Sequence, residues 1–222
     1  MKKEIIVCLS SKGRLKPESL NIFKKKKLKI FSEKGERDLI GYVKDKNFSL
    51  KILFVHAREA IDALANSTAD VAISGKDLLF NSNTNIQRKI KLYKNLDFGH
   101  ASLKIFSSIY WIDCRSLLDV SEIAKNKPIK LITKYRHLVE NFLAEKNVRN
   151  VEVIDSNGAT EIAVRINQAS LVGDISSSGS TAAANDLIEL SDGLILKTSA
   201  ALMVSKKSYK RKEVQNFLKF IA

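Results

Sequence analysis

Short apolar runs alternating with helix-patterned stretches restrict what this chain can fold into more than any other feature. Ile5 to Leu9 is the first such run, and it ends at Ser10-Ser11-Lys12-Gly13. Pro17 to Phe23 reads as a helix with proline in its first turn. Lys27 to Phe31 reads as a short strand, Ser49 to Val55 as another, and Arg58 to Asn66 as a helix with Ile61 and Leu64 on one face. Ala69 to Ser74 is a short buried strand closed by Gly75. A second series begins near Ala101. Leu103 to Trp111, Ile129 to Thr133, Val151 to Ile154 and Ala169 to Ile175 read as strands. Helices at Val120 to Ala124, His137 to Lys146 and Gly158 to Asn167 separate them. Gly193 to Lys197 and Ala200 to Val204 give further strands, and Lys210 to Ile221 closes as an amphipathic helix with Val214, Phe217, Leu218 and Ile221 on one face. This strand–helix grammar predicts an α/β fold with parallel sheets.

The chain has 222 residues, enough for two small cores. Asp97-Phe98-Gly99-His100 is the best crossing between them. We therefore expect a first α/β lobe of residues 1–98 plus 189–222 and a second of residues 99–188. Small ligands commonly bind in a cleft between such lobes.

No apolar stretch approaches membrane-spanning length, and Ile5 to Leu9 is too short for the core of a signal peptide. Cys8 and Cys114 cannot build a disulfide framework or a metal site alone, and Cys8 sits in an apolar strand pattern. A reducing, cytoplasmic setting is expected. The net charge is +14 with a pI near 9.7. Such a balance suits nucleic acid or a phosphorylated small molecule. The lysines are scattered, as at Lys24 to Lys27, Lys125, Lys127 and Lys206-Lys207, and few aromatics interleave as stacking platforms would require. The small-molecule reading is favoured, with no nucleic acid and no membrane among the expected partners.

One loop carries the strongest chemical signal. Ala169 to Val172 leads into Asp174-Ile175-Ser176-Ser177-Ser178-Gly179-Ser180-Thr181, and then into helix-favouring Ala182-Ala183-Ala184-Asn185. A strand, a hydroxyl-rich turn with one glycine and a helix start form a suitable cradle for phosphate. Asp174 can accept hydrogen bonds from sugar hydroxyls. The loop reads as a sugar-phosphate site.

Other candidates are weaker singly. Lys12-Gly13-Arg14 follows the first strand, where loops line the ligand crevice of α/β sheets. Arg37 in Gly35-Glu36-Arg37-Asp38, and Arg58, carry guanidinium forks suited to a departing pyrophosphate. Gly75 and Asp77 end a buried strand at Ser74-Gly75-Lys76-Asp77, and Glu161 in Gly158-Ala159-Thr160-Glu161 could receive a sugar hydroxyl. His56, His100 and His137 show no metal-ligand spacing. Neither G-x-S-x-G nor a Walker A loop is present.

In order along the chain stand SKGRL (Ser11 to Leu15), ERDLIG (Glu36 to Gly41), ADVAISGKDLL (Ala69 to Leu79), LDFGHA (Leu96 to Ala101) and TKY (Thr133 to Tyr135). GATE (Gly158 to Glu161), GDISSSGSTAAAN (Gly173 to Asn185) and LKTSAALMVS (Leu196 to Ser205) follow. This ordered set resembles the ATP phosphoribosyltransferases of histidine biosynthesis. The resemblance implies a two-lobed α/β fold like type II periplasmic binding proteins, with an interlobe cleft. It implies condensation of ATP, through N1, with 5-phosphoribosyl 1-pyrophosphate (PRPP), releasing pyrophosphate with Mg²⁺. It places PRPP on Asp174, Ser177, Ser178, Gly179, Ser180, Thr181 and Glu161, and ATP on Lys12, Arg14, Gly75 and Asp77. Arg37, Arg58 and Lys12 are the implied catalytic cations, and no protein side chain is assigned to a metal. The family often has an arginine where His56 stands, two residues before Arg58. The chain's ending at Ala222 resembles the short form, which implies a homodimer within a hetero-oligomer and a separate regulatory subunit resembling histidyl-tRNA synthetase. A solute-binding or ligand-sensing protein on the same scaffold is the competing expectation.

Overall fold

The structure, a computed structural model, describes residues 3–33, 35, 38–156, 160 and 162–222. The first stretch of chain forms β1 (Ile5–Ser10), α1 (Leu15–Lys25), β2 (Ile40–Lys44), β3 (Ser49–Val55), α2 (Ala57–Ala65), β4 (Val71–Gly75), α3 (Lys76–Phe80), α4 (Thr84–Lys89) and β5 (Ile90–Asn95). A second stretch forms β6 (Ala101–Ser108), α5 (Leu117–Ala124), β7 (Ile129–Thr133), α6 (Arg136–Glu145), β8 (Val151–Asp155), α7 (Ile162–Arg165), β9 (Leu171–Ser176), α8 (Ser180–Ala184) and β10 (Leu187–Thr198). The chain ends with β11 (Ala200–Ser205) and α9 (Lys212–Ile221). It divides into two compact units, Met1–Gly99 with Ser199–Ala222, and His100–Thr198.

The first unit is built on a six-stranded sheet of order β2-β3-β1-β4-β11-β5. β1 lies parallel to β3 and β4, so α1 and α2 are crossover helices of βαβ type. Every residue of β4 and β11 is buried, as expected for central strands covered on both faces. α9 closes one face by burying Val214, Phe217, Leu218 and Ile221, with the Phe217 ring edge-on to Phe48 at 5.5 Å between centroids. Arg211, at the start of α9, donates from one Nη to Asp70 Oδ1 at 2.9 Å and from the other to the Glu4 carbonyl at 3.0 Å. Asp70 Oδ2 accepts the Ile6 N–H at 2.9 Å, so one buried carboxylate joins β1, the entry to β4 and the last helix.

The second unit has a five-stranded sheet of order β10-β6-β9-β7-β8, with β7 parallel to β8 and β9 and with β6 antiparallel to β9 and β10. Leu131, Val139, Leu171 and Leu190 anchor its core.

Three features depart from the sequence reading. Both sheets are mixed rather than parallel, because β2, β5, β6, β10 and β11 each make antiparallel pairs. The expected strand at Lys27 to Phe31 reduces to a single bridge between Phe31 and Tyr42. Residues 189–198, expected in the first lobe, group with the second because β10 pairs along β6 from Leu187 to Thr198.

Cys8 and Cys114 are fully buried, and burial raises each thiol pKa from 9.0 to about 11. At Cys114 the Asp119 charge adds to the rise and Arg115 opposes it. A pKa raised by folding stabilises the native state below pH 9, and that contribution disappears as pH climbs through about 11. Both thiols should therefore resist an aromatic disulfide reagent at pH 8 in the native protein and react at once in denaturant. Rapid labelling of the native chain would show that one of them is exposed.

Candidate active site

The hydroxyl-rich loop leaves the carboxyl end of β9, whose neighbour β7 runs parallel to it. Gly179 has φ +80°, and the space where a side chain would start is open, so glycine is required there by the backbone and not by crowding. That left-handed residue turns the chain into α8. The loop's own hydroxyls brace it: Gly179 N–H donates to Ser176 Oγ at 2.9 Å, and Ser178 and Ser180 share a hydrogen bond of 2.8 Å between their Oγ atoms. Ser177, Ser178, Ser180 and Thr181 are exposed. Together with Asp174, Phe106 and Leu187 they enclose a concavity of about 90 Å³. Pockets for whole ligands run to roughly 300 Å³ or more, so this one fits a group such as a phosphate rather than a whole nucleotide.

Asp174 lies beneath the loop, half-buried. Its Oδ1 accepts the Ile175 N–H at 2.7 Å, and its Oδ2 accepts the hydroxyl of fully buried Thr160. Thr133, from the TKY stretch, is also fully buried. It donates to the Gly173 carbonyl at 2.7 Å and accepts the Tyr135 N–H at 2.9 Å, fastening the end of β7 to β9. Thr160 and Thr133 are not among the site residues expected from the sequence, while Ser176 lies within the loop read as the sugar-phosphate site. The signal for the two threonines is their place inside the TKY and GATE motifs.

In the first unit, β3, β1 and β4 are adjacent and parallel, so the loops after them share one edge of the sheet. The loop after β1 carries Lys12 and Arg14, both exposed, around Gly13 at φ +78°. The Ser11 N–H bonds the Val55 carbonyl at 2.9 Å, which ties this loop to the end of β3. Arg58 is exposed in the first turn of α2, directly after β3. His56 is the N-cap of that helix: its backbone N–H donates to Glu59 Oε2 at 2.8 Å, and its Nδ1 accepts the Arg58 N–H at a long 3.4 Å. The imidazole thus has a structural task as the cap of α2. Gly75 and Asp77 follow β4. A side chain at Gly75 would place its Cβ 2.5 Å from Asp77 Oδ1, so glycine here makes room for a buried carboxylate. The topology therefore brings Lys12, Arg14, Arg58, Gly75 and Asp77 to one edge of one sheet, and Asp174 with Ser177 to Thr181 to one loop of the other. Arg37 and Glu161 lie outside the described residues.

Comparison with known proteins converges on one family. The HisG family, described as ATP phosphoribosyltransferase, matches residues 56–222. An ATP phosphoribosyltransferase of Rhodopseudomonas palustris (strain BisB18) is 32% identical over 212 residues, covering 93% of this chain and 65% of that protein. One from Brucella suis is 29% identical over 218 residues and is itself covered to 94%. The chain thus spans about two thirds of the length of relatives such as the former. Among solved structures, the ATP phosphoribosyl transferase (HisG:HisZ) complex from Thermotoga maritima superposes with a TM-score of 0.76 at 19% identity, covering 98% of this chain and 96% of that one. The holo arginine-binding protein of the same organism gives 0.57 at 14% identity, covering 98% of this chain and 87% of that one. These likenesses show the fold: two α/β units of the type II periplasmic-binding-protein kind.

Proposed function

This chain belongs to the HisG family of ATP phosphoribosyltransferases, and on that premise we propose that it condenses ATP with PRPP to give phosphoribosyl-ATP and pyrophosphate. The observation that carries the proposal is the loop from Asp174 to Thr181, a hydroxyl-lined turn around a phosphate-sized concavity with a fixed carboxylate at its base. In this reading the 5′-phosphate of PRPP sits on Ser177 to Thr181. Asp174 accepts the ribose hydroxyls and holds negative charge near the ring, where positive charge grows as pyrophosphate departs. Glu161 is the second ribose candidate on sequence grounds. Lys12, Arg14 and Arg58 offer positive charge at the first unit's sheet edge to the nucleotide and pyrophosphate phosphates, and Arg37 joins them as a sequence-based candidate. Gly75 and Asp77 belong to the ATP side. Chemistry of this kind asks the protein mainly to orient two substrates and to stabilise separating charges.

Among the described residues no cluster of acidic, histidine or cysteine side chains is arranged to hold a metal. Mg²⁺ belongs in this proposal to the pyrophosphate of the substrate, and no step is assigned to an ion held by the protein. We extend the reading to a cytoplasmic enzyme that works as a homodimer with a separate regulatory subunit resembling histidyl-tRNA synthetase. The HisG:HisZ assembly of the T. maritima relative supports that partner.

Calorimetry separates this proposal from an amino-acid sensor on the same fold: PRPP should bind, and arginine or histidine should not occupy the same site. Tight amino-acid binding without affinity for PRPP would overturn it. Within the loop, Thr181→Ala removes one phosphate-facing hydroxyl. It should raise the KM for PRPP roughly tenfold, the worth of one hydrogen bond to a charged group. The KM for ATP should stay within about twofold, since equal changes in both constants would remove the loop from the PRPP side.

A further inference from the structure

Asp174 cannot act on a ribose unless its carboxylate faces the concavity in one orientation. Among the described residues, two contacts set that orientation. One is internal to the loop, from the Ile175 N–H to Oδ1 at 2.7 Å. The other crosses from a different segment, where the Thr160 hydroxyl donates to Oδ2. Thr160 is fully buried, so water does not compete for that hydroxyl, and the side chain is sealed from any ligand. Its backbone carbonyl accepts the Ala163 N–H at 3.2 Å at the start of α7, which anchors the residue independently of its side chain. The threonine methyl fills buried space, so a hydroxyl-specific role can be separated from a packing role.

We propose that Thr160 is a positioning residue: its buried hydroxyl fixes the rotamer of Asp174 so that the carboxylate meets the sugar of the phosphoribosyl substrate. The inference rests on the proposed function and adds to it a residue that never touches substrate. A carboxylate held by one bond instead of two samples other rotamers, and the work of orienting it is then done on each turnover. Losing a hydrogen bond to a charged group predicts a roughly tenfold to hundredfold fall in kcat/KM for PRPP. The ATP side of the enzyme, built on the other unit, should be untouched.

The test compares Thr160→Val, which keeps the shape and loses the hydroxyl, with Thr160→Ser, which keeps the hydroxyl and loses the methyl. Expected are a fall in kcat/KM for PRPP in the valine variant, an unchanged KM for ATP, and recovery to within about threefold in the serine variant, because the donor is restored. Each variant is also combined with Asp174→Asn. Thr160→Val should add little in that background, because the two residues act as a unit. If the wild-type chain makes phosphoribosyl-ATP and Thr160→Val matches it, the positioning role is wrong while the function stands. Additive losses in the double variant, or serine behaving as poorly as valine, would reduce Thr160 to packing. A wild-type chain inert toward both substrates, with and without its partner subunit, would instead overturn the proposed function. PRPP binding by calorimetry gives a readout free of turnover: the valine variant should bind PRPP several-fold more weakly while its melting temperature falls by only a few degrees, the effect of one lost hydrogen bond.

Discussion

Replacing Asp174 with asparagine is expected to lower kcat/KM for PRPP by about a hundredfold to a thousandfold, the usual loss when one electrostatic stabiliser of a transition state is removed. The change is nearly isosteric, so little of that loss should come from packing. On the proposed function, it removes the negative charge beside the ring that becomes positive as pyrophosphate leaves. It also puts an amide N–H₂ where one of the two donors, the Ile175 N–H or the Thr160 hydroxyl, now points at an oxygen. That mismatch should cost about 1–3 kcal/mol of stability, well short of unfolding the unit. Steady-state kinetics with both substrates, beside thermal melts, separates the two effects. A variant with near-normal turnover would show that the carboxylate does not serve the reaction, whatever its place beneath the loop.

The largest stability effect is expected at Arg211. Its guanidinium pairs with Asp70, whose side chain is only 10% exposed, and reaches on to the Glu4 carbonyl. Arg211→Ala leaves the Asp70 carboxylate buried beside the Ile6 N–H with no cation, and breaking a buried pair in that way typically costs about 3–5 kcal/mol. Arginine is itself 21% exposed, so the lower end is expected, about 3 kcal/mol. For a chain of this size that corresponds to a fall in melting temperature of roughly 6–12 °C. Asp70→Asn in the Arg211→Ala background should recover part of the loss, because it removes the stranded charge. A melting temperature unchanged in Arg211→Ala would mean that water reaches Asp70 and that the staple between α9 and β1 is not needed.

Much of this architecture was legible in the sequence because its strongest signals are local. β1 is a continuous apolar run, β3 and β7 are apolar runs broken by a single lysine each, and α9 carries a clean apolar stripe, so each falls where its pattern puts it. Of the antiparallel members, β6 and β11 read as strands, whereas β2 and β5 do not. β2 is an edge strand with glycine at its second position, and that glycine makes room for Ile30, since a Cβ there would lie 2.6 Å from the Ile30 side chain. β10 is interrupted around Ser191-Asp192-Gly193, where the register to β6 shifts, so its first half did not read as strand and the domain boundary moved with it. At the site, the loop from Asp174 to Thr181 was readable because its chemistry is contiguous. The Thr160 bond to Asp174 spans fourteen positions of sequence and exists only once β9 and the segment before α7 are folded together. His56 stands where the family often has an arginine, two residues before Arg58. Its place as the cap of a helix N-terminus depends on φ and ψ that no pattern of residue types displays.

The central claim is that this chain transfers the phosphoribosyl group of PRPP to ATP. The most direct measurement is mass spectrometry of a reaction containing the purified chain, ATP, PRPP and Mg²⁺, run with and without a regulatory subunit resembling histidyl-tRNA synthetase. A product with the mass of phosphoribosyl-ATP and an equivalent of pyrophosphate should appear, formed faster with the partner present and far more slowly in Asp174→Asn. ATP and PRPP both remaining intact under either condition would contradict the claim.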